Sequence, residues 1–232
     1  MADKFDRIVL SVPDLHQAVA DYQRLLGAEP TIHETAGERR CAWWGLSNTV
    51  IEVIEDAGGS AKLQGIVFSA ADAPCAESAV ANPLGLDLRL CDGSATRDFR
   101  QHSAEAQCAD LCVDHVVLRT DNAQACVALF RDALGIRLAL DKTVPQWGGR
   151  MLFFRTGKLT LEVIEGSEGE TAPSAFWGVA YQCSDLAGYV QALHDRGVST
   201  SAIRDGRKPG TQVATLKSHN LGVPTLLIQG AR

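Results

Sequence analysis

One pattern is written twice in this chain. DRIVL at residues 6–10 returns as DHVVL at 114–118, and TVIEVIE at 49–55 returns as LTLEVIE at 159–165. The signals between them also recur. Asp14 and Asn122 are good helix N-caps. Val19, Tyr22 and Leu26 in one copy, and Val127, Phe130 and Leu134 in the other, keep the near-3.6 spacing of an apolar helix face. Gly27 and Gly135 follow as C-caps. The offset is 108 residues at the first strand (6 to 114) and 110 at the last (49 to 159), so the slip falls in the middle loops. The second copy goes on to strand-like pieces at residues 136–140, 150–155 and 159–164. Each copy therefore reads strand, helix, strand, strand, strand. Such a chain must adopt a fold that can be built more than once.

Two weaker copies complete the series. The second unit opens with GIVFS at 65–69, Asp72 and a short helix expected over residues 74–80, then erodes to one clear strand at 86–90. Residues 92–109 are polar and irregular and read as a linker that includes a little helix. The fourth unit opens with FWGVAY at 176–181. Asp185 caps a helix carrying Leu186, Tyr189, Val190 and Leu193, stopped by Gly197. Strands are expected near residues 212–216 and 224–229, after a turn at Lys208, Pro209 and Gly210.

Composition narrows the function classes. Of 232 residues, 46 % are hydrophobic and 22 % charged, an ordinary globular balance. The net charge of -6, from 22 basic and 28 acidic residues, argues against general nucleic-acid or acidic-membrane binding. No basic cluster with interleaved aromatics is present. No apolar run approaches the roughly 20 residues of a membrane helix. With no apolar leader at its start, the chain is expected to be cytoplasmic. The seven cysteines form no CxxC pair and read as small core residues.

Four βαβββ-like modules in two pairs resemble the vicinal oxygen chelate superfamily: glyoxalase I, the extradiol dioxygenases, and the fosfomycin and bleomycin resistance proteins. The resemblance rests on DRIVL with Asp14 and Leu15, on DHVVL, and on the twin EVIE closures. It implies an α+β fold, in which tandem βαβββ modules form two cup-shaped mixed-sheet halves. An N-terminal half would span residues 1–105, with modules one and a truncated two, and a C-terminal half 110–232, with modules three and four. It also implies a small-molecule ligand, a possible homodimer, and a divalent ion (Fe, Ni, Zn or Mn) inside a cup.

In the family, metal ligands fall on the first and last strands of a module. The repeat aligns Arg7 with His115 and Glu52 with Glu162. The other first-strand positions are Gly65 and Gly178, and the fourth closing position is Leu226. If modules three and four pair, His115 and Glu162 face Gly178 and Leu226. If modules one and three share a site, Glu52 joins His115 and Glu162 as a third ligand. Alternatively, Arg7 replaces the ion by pairing with Glu52. The leading expectation is a metal-assisted glyoxalase-like enzyme on a small oxygenated or aromatic metabolite, with Glu162 or Glu52 moving the proton. A metal-free binding protein of the drug-sequestering type is the rival, and an extradiol-type dioxygenase a third reading. Strand alternation puts His115, Val117 and Arg119 on one face. Trp147, Trp177, Phe153, Arg119 and His219 are the expected ligand contacts, with Tyr181 a further aromatic candidate. The His219 segment lacks the Tyr and Asp-Pro signature that follows the extradiol histidine.

Overall fold

In the computed structural model, which describes residues 1–35, 39–144, 149–166 and 173–230, the repeat is visible element by element. The first copy runs β1 (Lys4–Val12), α1 (Leu15–Leu26), β2 (Thr31–Thr35), β3 (Arg39–Leu46) and β4 (Val50–Glu55). Helix α1 starts where Asp14 accepts a hydrogen bond from the Gln17 amide, and it stops at Gly27, whose φ of 73° is left-handed. It buries Leu15, Ala18, Tyr22, Leu25 and Leu26.

Three strands follow, β5 (Lys62–Ser69), β6 (Ser78–Ala79) and β7 (Asp87–Cys91), then α2 (Ser94–His102) and β8 (Gln107–Cys108). The second full copy runs β9 (Leu111–Thr120), α3 (Ala123–Cys126), β10 (Arg137–Val144), β11 (Gly149–Thr156) and β12 (Leu159–Glu165). Asn122 caps α3, which continues as a π-helical segment (Val127–Ala133) in which the Leu134 amide bonds back to the Leu129 carbonyl. The last unit is β13 (Ala175–Cys183), α4 (Leu186–Asp195), β14 (Arg204–Asp205), β15 (Gln212–Thr215) and β16 (Thr225–Gln229).

The strands form two mixed sheets. One is ordered β2-β3-β4-β1-β5-β7-β6, with β8 pairing β3; the other is β10-β11-β12-β9-β13-β16-β15-β14. Modules one and two join through β1 and β5, modules three and four through β9 and β13. The register repeats too: Glu52 lies opposite Val9 and Glu162 opposite Val117. The boundary between sheets falls between Cys108 and Leu111.

One face of each sheet packs into a common apolar core with the helices, where Tyr22 meets Tyr181 and Val116 and Leu118 are fully covered. Burial pushes both phenols upward, Tyr22 to about 12. The halves are further joined by Asn48, whose side chain bonds both backbone groups of Val113 at 2.8 and 3.0 Å.

One expectation fails here. The helix expected over residues 74–80 is absent: the segment turns and then forms β6. So short a piece, begun by Pro74 and followed by Pro83, cannot repay helix nucleation. The segment at 92–109 does hold helix, and more of it than expected: α2 has nine residues, of which only Thr96 and Phe99 are buried.

Candidate functional site

The face of each sheet away from the common core carries the repeat's special positions, and a β-bulge sets each of them. Between β1 and β5 the register skips Asp6, just before Arg7, and Gln64, just before Gly65. Between β9 and β13 it skips Asp114, just before His115, and Trp177, just before Gly178. A bulge residue has no cross-strand partner and re-aims the side chains beside it. This is why two successive residues can act together. Asp114 Oδ2 sits 2.8 Å from His115 Nδ1, and Asp6 Oδ2 accepts from Arg7 Nη1 at the same 2.8 Å.

In the C-terminal cup His115 and Glu162 are brought together. With Asp114 accepting from Nδ1–H, His115 Nε2 faces Glu162 Oε2 at 3.6 Å, too far for a direct hydrogen bond. Their side chains are 20 % and 15 % exposed, so a ligand atom has access to the gap. Phe153, half-buried, is the cross-strand neighbour of Glu162. Val117 separates His115 from exposed Arg119, whose guanidinium lies 5.9 Å from the centre of the Trp177 ring. Trp177 is pushed outward at the bulge and is 46 % exposed.

A metal does not fit this donor set. Among the described residues, no three His, Cys, Asp or Glu side chains converge as an ion requires. The facing positions are Gly178 and Leu226, and neither can ligate through its side chain. A Cβ at Gly178 would lie 2.8 Å from the Pro224 carbonyl oxygen, and one at Gly65 would run into that of Asp87. Both positions are closed by backbone, so neither accepts a histidine without the strand moving.

The centre of the N-terminal cup is filled. Arg7, 2 % exposed, donates to Glu52 at 3.0 Å, to Asp6, and to Glu77. Its guanidinium stacks 4.7 Å from the Trp43 ring centre. Arg89 takes the closing-strand position of module two, opposite Val67, and reaches Glu77 at 3.0 Å. Phe99 of α2 packs edge-on to Trp43 at 5.5 Å and beside His33. Burial pushes the Cys41 thiol up to about 12, with the Glu52 charge adding to it, and burial lowers the His33 imidazole.

Glu52 thus lies on a different sheet from His115 and Glu162, held by Arg7, so the shared site of modules one and three does not form. His219 is turned toward α1, with Nε2 3.5 Å from Arg24 and 4.0 Å from Asp21, away from His115. Tyr181 is core. Arg150 pairs with Asp141, and Arg40 with Glu55. Trp147 lies outside the described residues. Sequence reasoning missed Asp114, Arg89 and Phe99. The first had a signal: an Asp precedes the special residue in both full copies.

Residues 114–215 match the Glyoxalase/Bleomycin resistance protein/Dioxygenase superfamily. A mutant of 4-hydroxymandelate synthase from Streptomyces coelicolor has the same fold, with TM-score 0.76 at 15% identity over 100% of this chain and 94% of that one. A xylose isomerase-like TIM barrel/4-hydroxyphenylpyruvate dioxygenase fusion protein matches 99% of this chain with TM-score 0.70 and 13% identity. This chain covers 49% of the fusion protein. No curated protein matches in sequence. Residues 114–215 thus carry the sequence pattern of this superfamily, and the whole chain, with its repeat and paired cups, has the fold of these solved structures. At these identities the solved structures speak for the fold alone. No helix among the described residues is long and apolar enough to cross a membrane.

Proposed function

We propose that the C-terminal cup binds a small, partly apolar oxygenated or aromatic molecule without a metal, with His115 and Glu162 as its polar centre. The observation that carries this reading is the 3.6 Å gap between His115 Nε2 and Glu162 Oε2, open on the apolar face. Asp114 fixes the imidazole so that Nε2 is presented to the cup. A ligand hydroxyl in the gap would donate to one of the two groups and accept from the other if it carries a proton. Phe153, Val117 and Trp177 offer the apolar contacts that a small-molecule site needs around a few polar groups. The same pair is placed to take up and return a proton at a ligand carbon or oxygen, which would make the protein a cofactor-free acid–base enzyme. The dioxygenase reading asks for two histidines and a carboxylate, and Gly178 and Leu226 supply neither.

The test is fluorescence titration in EDTA with catechol, salicylate and 4-hydroxybenzoate. Saturable quenching is expected with at least one of them, lost in Trp177→Phe. His115→Ala should weaken binding about tenfold or more, the worth of one charge-assisted hydrogen bond, and shift the melting temperature little. If His115→Ala leaves every affinity unchanged, the site is not where we put it.

A further inference from the structure

We propose a second small-molecule site at the open end of the N-terminal cup, built for a free amino acid or a similar small zwitterion. Helix α2 closes one part of this cup. At the end formed by the close of β4 and the starts of β5 and β7, a cavity of about 410 Å³ remains. Ile54 and Ser11 line it from β4 and β1. Ser11 is 1 % exposed and lines the cavity, so what little of it is accessible opens there.

The charges around the cavity are sorted by side. Asp56 and Glu55 stand at the end of β4, while Lys62 and Arg89 stand on β5 and β7. Asp87 also lines the cavity but is already spoken for, since Arg89 and Gln64 both donate to it. That leaves Lys62 and Asp56, exposed and of opposite sign, on the two sides; the Lys62 charge also acts on Asp87, at longer range than an ion pair. Lys62 is the cross-strand neighbour of Ser11, so an ammonium and a hydroxyl donor lie side by side. A carboxylate suits that corner, and an ammonium suits the acidic side. A ligand with both, held a few ångströms apart, meets the two sides at once, whereas an anion or a cation alone leaves one side facing a like charge.

This site is on the other sheet from His115 and stands or falls separately. Isothermal titration of the whole protein with glycine, L-serine, L-valine and L-glutamine, at up to millimolar concentrations, tests it. At least one should bind saturably; its N-acetyl derivative and its amide should each bind about tenfold more weakly or not at all. Lys62→Met and Ser11→Val should weaken the binding, and His115→Ala should leave it unchanged. Lys62 is exposed, so its replacement is read on a folded protein. Binding of none of the four, or binding that Lys62→Met and both blocked derivatives leave intact, overturns the proposal.

Discussion

Replacing Arg7 with alanine is expected to destabilise the protein by about 3–5 kcal/mol, the range for breaking a buried ion pair by removing one partner. Arg7 is the single cation shared by Asp6, Glu52 and Glu77, and the Asp6 and Glu52 side chains are 1 % and 8 % exposed. Without the guanidinium those charges face each other in a site that Phe99 and Trp43 shield from water. Against a total stability of roughly 5–15 kcal/mol for a domain, the loss is large. Arg7→Lys should recover only part of it, because one ammonium cannot reproduce the fork that meets separate carboxylates. Urea unfolding reads the effect as a lower midpoint at unchanged slope. A loss below about 1 kcal/mol would mean that water reaches the network and that the centre of the N-terminal cup is not filled. Ligand binding by the C-terminal cup should persist in the variant under native conditions.

Phe99→Ala is expected to cost about 3 kcal/mol or more, as large aromatic truncations in a core do. Phe99 is 5 % exposed and is the one large apolar side chain that α2 buries; Thr96, bonded to Asp6 Oδ1 at 2.6 Å, is its other anchor. The helix should therefore loosen as a unit. Amide exchange would show protection lost over residues 94–102 while β9 and β12 keep theirs. Unchanged protection in α2 would show that the helix holds without its aromatic anchor and would contradict a cup centre closed by Phe99.

These two residues also show what the sequence conceals. The repeat made the opening and closing strands of the two full copies, the helices after them and their caps readable, because a periodic apolar face and a following glycine signal a helix in any context; the short strands β6, β8 and β14 were not read. It also gave the correct equivalences of Arg7 with His115 and of Glu52 with Glu162. Helix α2 escaped because only Thr96 and Phe99 of its nine residues are buried, too few to write a 3.6-residue period. The bulges left no mark, since register is a property of two strands and not of one. Without them Asp114 looks like a residue on the opposite face from His115. Which modules pair was likewise invisible: it depends on β1 meeting β5 and β9 meeting β13, contacts distant in sequence. The sequence did offer the fate of the N-terminal cup as one of its alternatives, an Arg7–Glu52 pair in place of an ion. The structure adds Asp6, Glu77 and Trp43 to that pair.

On the proposed reading, the C-terminal cup works through His115 and Glu162 without a resident ion. Elemental analysis of protein purified without chelator, before and after incubation with Fe(II), Ni, Zn and Mn, tests it most directly. Wild type and His115→Ala should both hold less than about one tenth of an equivalent of any of them, since two protein donors fall short of a usual site. Close to one equivalent in the wild type, absent from His115→Ala, would contradict it.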